Sequence, residues 1–150
     1  MIFLNSAILE ELLFRGVVFQ ELITTTNKTT AVIITSILFS ASHLFNPSMS
    51  VFAFINIFLG GIWFAIARIL SKTLWITIML HVGWNYSLAY KYSFIVSGIK
   101  FENYQPGINL IFGPEWFTGG NFGPEGGLIG TIGIIIGALL TFYLLKKSDK

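Results

Sequence analysis

Cysteine is absent from the 150 residues, only 11% of them carry charge, and the nine Lys and Arg are scattered rather than gathered into a stripe. The first absence excludes disulfides, thiolate metal ligation and a cysteine nucleophile, so any metal would need His, Glu, Asp or Asn. The second excludes an ordinary soluble domain, which is roughly a quarter charged. With a formal charge of only +2 and no basic stripe, a nucleic-acid partner is excluded as well. The N-terminus has neither the basic start nor the small-residue cleavage site of a signal peptide, so the first apolar segment is expected to stay. No linker, heptad or internal repeat is present, and 1–150 reads as one membrane domain.

What is there in quantity is apolar. Hydrophobic residues make up 54% of the chain and the mean hydropathy is +0.76, so lipid is the expected solvent and the bilayer the first partner. The expected fold is all-α, a polytopic transmembrane bundle of about five helices near 2–23, 31–45, 51–70, 74–92 and 128–145. The first of these, about 33 Å as a helix, suffices for a hydrocarbon core of roughly 30 Å. Asn46-Pro47 stops the second, and Gly60-Gly61 in the third offers a smooth patch for a neighbouring helix. Residues 98–124, punctuated by Pro106-Gly107, Gly113-Pro114, Gly119-Gly120 and Gly123-Pro124, read as a loop. Alternating helices put Lys28, Arg68, Lys72, Lys146, Lys147 and Lys150 on one side, and Lys91, Lys100, Glu102, Glu115 and Glu125 on the other. By the positive-inside rule the six-cation side is cytoplasmic and the Gly/Pro loop faces outward.

Five ionisable groups fall inside the apolar segments: Glu10, Glu11, Arg15, His43 and His81. A charge at a helix centre costs about 2.5 to 3.5 kcal/mol even on insertion scales, so something must offset it. Glu11 and Arg15, four apart with the acid first, share a helix face and can pair. Glu10 projects about 100° away and is left to face a cavity, where an unpaired carboxylate suits the work of a general base for water. The bland alternative is a buried charge cluster that only fixes packing. His81 and Asn85, also four apart, present to one side of the fourth segment. Two imidazoles and a carboxylate, Glu10, His43 and His81, could hold a Zn²⁺ with an open position, or could hold a water directly and stabilise an oxyanion. The sequence does not choose between these. The His-Glu-x-x-His spacing is absent, so a metal site would be assembled across helices. Depth poses a condition: counted from the basic side at about 1.5 Å per residue, Glu10 and His43 lie roughly 20 Å deep and His81 about 10 Å. The fourth segment must tilt or start deeper for the three to meet.

Glu10-Glu11-x-x-x-Arg15, then Phe39-x-x-x-His43, then His81-x-x-x-Asn85, in that order on separate apolar segments, resembles the CPBP family of intramembrane proteases. That family includes the CAAX prenyl endopeptidases and bacteriocin-processing or self-immunity proteins. The resemblance implies a multi-pass membrane endopeptidase, in the plasma membrane of a prokaryote, in which Glu10 activates water. His43, His81 and Asn85 would bind that water, a metal or the oxyanion, and Glu11 and Arg15 would support the site. Zinc is the metal implied, and no organic cofactor is. Family members usually carry several transmembrane helices before the Glu-Glu motif, and here nine residues precede Glu10, so an N-terminally truncated member or a pared-down core is expected. The substrate would be a prenylated tail, a leader peptide or a membrane protein. A non-catalytic self-immunity or scaffolding protein of the same fold is the competing reading, and a small proton-relay transporter a third.

Overall fold

Polar residues in the turns start the helices. Asn27 Oδ1 accepts from the Thr30 N–H at 3.0 Å, Ser50 Oγ from Ala53 N–H at 3.1 Å and Thr73 Oγ1 from Trp75 N–H at 3.3 Å. Each satisfies a donor that a first helical turn leaves free. The structure, a computed structural model, describes residues 2–100 and 112–148. Helix α1 covers 2–25 as one rod: an α-helical Ile2–Glu11, a π-helical Leu12–Val18 and an α-helical Phe19–Thr25. The caps then begin α2 (Lys28–Ser42), α3 (Val51–Ser71) and α4 (Leu74–Tyr86), the last continuing as a π turn, Ser87–Lys91. A four-residue α5 (Glu115–Thr118) and two 3₁₀ turns (Gly120–Phe122, Pro124–Gly126) lead into α6 (Leu128–Ser148). Among the described residues there is no strand, only an isolated bridge between Val96 and Ile99, so the fold is all-helical.

Two differences from the sequence reading bear on the site. The second helix starts at Lys28 because Asn27 caps it, and it stops at Ser42, where the His43 N–H turns back to the Ser40 carbonyl at 3.1 Å. His43 is therefore the residue that closes the helix, not one inside it. The expected loop 98–124 is the larger correction. Residues 101–111 lie outside the described residues, but 112–127 is a folded plug of short helical turns. Its Phe122 ring is buried among Phe14, Phe39, Ala53 and Ile57. The tight course of the plug needs Gly119 and Gly123 at φ +86° and +92°, and a Cβ on Gly123 would strike the Ile95 carbonyl.

Helix α3 is central and packs on α2, α4 and α6. Small residues set these approaches. A Cβ on Gly61 would sit 3.0 Å from Ser36 Cα, so the anticipated smooth patch is where α2 and α3 meet closely. The Trp63 and Trp84 rings lie against Gly137 and Gly133 of α6, and Trp63 Nε1 donates to Thr141 Oγ1 at 3.0 Å.

Polarity is turned inside out. Glu11, Arg15, Thr35, Ser36, Ser40, Asn56 and Thr77 are wholly buried, whereas Leu9, Val17, Ile55, Ile136, Leu139 and Leu144 are exposed. Water would reverse that distribution; lipid accounts for it. Among the described residues, Val51–Ser71 and Leu128–Lys147 are the two helices that by length and composition could cross a membrane. The fifteen residues of α2 make about 22 Å, short of a hydrocarbon core of roughly 30 Å.

Candidate active site

Helix α1 carries two glutamates with opposite surroundings. Glu11 Oε1 accepts from Arg15 Nη1 at 2.8 Å, and both residues have 0% exposure. Arg15 Nη2 also donates to the Gly61 carbonyl at 3.1 Å, which ties α1 to α3. The guanidinium lies 4.4 Å from the Phe39 ring centroid and 5.5 Å from that of Phe64. Arg15 falls within the π-helical turn, a widening that recurs at functional sites, where Phe19 N–H bonds Phe14 O instead of closing an α turn. Glu10, one residue earlier, faces a cleft of about 340 Å³, its side chain 28% exposed.

His43 and His81 reach the same carboxylate from two other elements. His81 Nε2 is 3.8 Å and His43 Nε2 3.9 Å from Glu10 Oε2. Their other nitrogens fix the tautomer. His81 Nδ1 lies 3.0 Å from Glu11 Oε1, and His43 Nδ1 2.8 Å from the Phe39 carbonyl. A paired carboxylate and a carbonyl only accept, so both Nδ1 atoms carry a proton, and in the neutral imidazoles both Nε2 atoms turn a lone pair toward Glu10. Ser42 Oγ, 3.1 Å from His43 Nδ1, spends its own proton on Phe39 O at 2.7 Å. Three acceptors thus converge, and Glu10 Oε2 is buried without a hydrogen-bond partner. Such a point calls for a donor of protons or a cation.

The aromatic rings hold this arrangement. Phe64 stacks on the His81 ring at 4.9 Å between centroids, and Phe39 meets His43 and His81 edge-on at 4.9 and 5.8 Å. Asn85, buried one turn beyond His81, lines the same cleft, together with Ser6, Ser42, Asn46, Val96, Ser97 and Ile99. All six residues singled out in the sequence therefore gather at one place. The depth condition is met by a deeper start of α4: a Cβ on Gly16 would touch Leu74 Cδ2 at 3.5 Å, so α4 begins level with Gly16 rather than with the end of α1. Seven residues along α4 from that level is His81, and five or six back along α1 are Glu11 and Glu10.

Glu10, His43 and His81 are the donor types zinc takes, and their outer nitrogens are held as ligand histidines usually are. Tetrahedral bonds of about 2.0 to 2.1 Å would draw the donors to roughly 3.4 Å of one another. They stand at 3.8 and 3.9 Å, and among the described residues no three His or carboxylate groups are at metal spacing. A water about 2.8 Å from Glu10 Oε2 and from either Nε2 fits these separations without movement.

The family model of the type II CAAX prenyl endopeptidases, Rce1-like, matches residues 1–87. The chain belongs to this family. Membership places it among membrane-embedded proteins with a CAAX-type intramembrane protease as the family activity. No curated protein and no solved structure gives a match. The matched stretch of the Rce1-like family holds all three motifs, Glu10 to Arg15, Phe39 to His43, and His81 to Asn85.

Two residues at the site escaped the sequence reading. Glu125, counted there among outward-facing charges, is 8% exposed and takes hydrogen bonds from Trp84 Nε1, Ser97 N and Ser97 Oγ at 2.8, 2.7 and 2.8 Å. Asn56 in mid-α3 donates to the Glu125 and Gly127 carbonyls at 2.8 and 2.9 Å and accepts from Thr131 Oγ1 at 2.7 Å. An amide in the middle of an apolar span was the available signal for Asn56. Nothing local distinguishes Glu125 from the exposed acid its Gly/Pro setting suggests.

Proposed function

We propose that this protein is a multi-pass intramembrane endopeptidase of a prokaryotic plasma membrane, with α1 to α4 and α6 forming the five-helix bundle in the bilayer. It hydrolyses a peptide bond with water activated by Glu10. The observation that carries this reading is the buried, unpartnered Glu10 Oε2 facing two imidazole lone pairs at 3.8 and 3.9 Å. A water there donates one proton to Glu10 while its oxygen attacks the scissile carbonyl carbon. With both Nε2 atoms unprotonated, the histidines orient the water, and the Asn85 amide is the N–H donor suited to the oxyanion. Glu10 then passes the proton to the leaving amine as the C–N bond breaks, so the step balances with no organic cofactor.

Glu10, His43 and His81 are also the residues that would hold a zinc ion, which would supply Lewis-acid polarisation of the carbonyl. Their spacing favours the water-only reading, and dialysis against a strong chelator is expected to leave cleavage intact. Complete loss restored by zinc would reverse that preference.

The cleft opens beside Asn46 and the 96–99 turn, at the opposite end of the bundle from Lys28, Lys72 and Lys147. With the basic end cytoplasmic, this geometry favours the leader of an exported peptide, or a membrane protein, over a prenylated tail. In a chain without cysteine, a single Cys at Asn46 reports the exposed side by labelling in intact cells. Glu10→Gln should lower cleavage by about a hundredfold or more while membrane insertion is unchanged. Undiminished cleavage by that variant refutes the assignment of the base.

A further inference from the structure

Behind the histidines lies a second, smaller cavity of about 30 Å³, bordered by Asn56, Gly60, Trp84 and Glu125. Three residues face both this cavity and the open cleft: His43, His81 and Ser97. Ser97 is thus the wall between them that belongs to neither the glutamate helix nor the histidine elements.

Ser97 is held with unusual care. Its φ is +49°, a left-handed conformation that serine seldom adopts and that persists only where its surroundings impose it. Glu125 Oε2 takes both the Ser97 N–H and its hydroxyl, and Asn46 Nδ2 donates to the Ser97 carbonyl at 3.0 Å. The other oxygen, Glu125 Oε1, takes the Trp84 indole N–H, adjacent in sequence to Asn85 and one turn from His81. One buried carboxylate therefore ties the wall of the cleft to the helix that carries the histidine and the amide. Next to Ser97, a Cβ on Gly98 would strike the Pro47 carbonyl, and the Gly98 N–H bonds Phe122 O at 2.9 Å, so the turn has little freedom of its own.

We infer that Glu125 is a positioning residue for substrate: by fixing Ser97 it sets the 96–99 wall at a constant distance from Glu10, so that peptide binding, and not the attack of water, depends on it. The inference rests on the proposed protease reading. Both Glu125 oxygens accept hydrogen bonds, three in all, from Trp84 and Ser97, which fits a clamp and not a proton carrier.

The test uses the full chain in detergent and a dansylated peptide made of the apolar leader of an exported peptide followed by a short polar segment. Binding is measured in the Glu10→Gln background, where turnover is suppressed, and cleavage in the native background. Glu125→Gln replaces one acceptor by a donor that opposes Ser97 or Trp84. It should raise Kd and KM by about tenfold, the loss of one charge-assisted hydrogen bond, while kcat stays within about twofold. Amide exchange at 96–99 should accelerate in the same protein. Asn46→Ala, which frees the Ser97 carbonyl from the opposite side, should move Kd in the same direction, and it decides the matter alone if Glu125→Gln does not fold. A fall in kcat at constant KM, or unchanged Kd and KM in a folded variant, overturns the inference. If Glu10→Gln still cleaves, only the base assignment falls and native KM values decide. If the native protein neither binds nor cleaves the probe, the protease reading and this inference fall together.

Discussion

Two buried carboxylates organise the interior, and they are held in different ways, Glu11 through one oxygen only and Glu125 through both. Glu11 is held by a full positive charge: Arg15 at 2.8 Å, with the His81 ring N–H at 3.0 Å. Glu125 is held by three neutral donors, an indole N–H, a backbone N–H and a hydroxyl. The first cluster couples α1 to α3 and α4 beneath the catalytic candidates, and the second couples the 112–127 plug to the wall of the cleft. A charge pair removed from solvent is tolerable only while both partners stay, because either alone is an uncompensated charge in a medium of low dielectric. A carboxylate on neutral donors loses its partners one at a time. The two sites should therefore fail differently when cut.

The largest effect is expected at Arg15. Arg15→Ala leaves Glu11 with the His81 N–H alone, removes the side-chain hydrogen bond to the Gly61 carbonyl and takes the cation from the faces of Phe39 and Phe64. Breaking a buried pair from one side costs about 3 to 5 kcal/mol, and unfolding in mixed micelles should register a loss of that size. Cleavage should fall with it even in the fraction that stays folded, since Glu11, the acceptor that sets the His81 tautomer, is no longer held in place by Arg15. A loss under about 1 kcal/mol would mean that the pair is not what holds the helix.

The same contrast explains what could be read from the chain. Glu11 and Arg15 are four residues apart, as are His81 and Asn85, so their shared faces follow from helix geometry alone. The π turn through Leu12–Val18 did not undo the pairing, although nothing in the pattern announced it. The helices themselves were legible from apolar runs and their polar caps, with errors of a few residues at Lys28 and His43. What was not legible depends on distance along the chain. Glu125 meets Ser97 across 28 residues and Trp84 across 41, and Asn56 meets the 125–131 stretch across 69 to 75. In the sequence, Glu125 sits among glycines and prolines, which read as surface loop because turns are normally solvated. The packing of Phe122 into the core, with the Asn56 hydrogen bonds to the Glu125 and Gly127 carbonyls, draws it inward. The level at which α4 starts was equally hidden, as it follows from Leu74 fitting against Gly16.

A smaller and more diagnostic effect is expected at Asn56, the amide that holds the plug against α3. Asn56→Ala leaves the Glu125 carbonyl and the Thr131 hydroxyl without their side-chain partner, while the Gly127 carbonyl keeps the Gly130 and Thr131 N–H groups. Neutral buried groups of this kind cost about 1 to 3 kcal/mol when orphaned, less where a nearby cavity admits water. The cavity of about 30 Å³ adjoins Asn56, so relaxation there is available, which the sealed surroundings of Arg15 do not offer. Destabilisation should accordingly be less than half that of Arg15→Ala, with Glu11, Arg15 and His81 undisturbed and kcat near native. Equal losses at the two positions would erase the distinction between the charged and the neutral cluster and make the plug as integral to the fold as α1 itself.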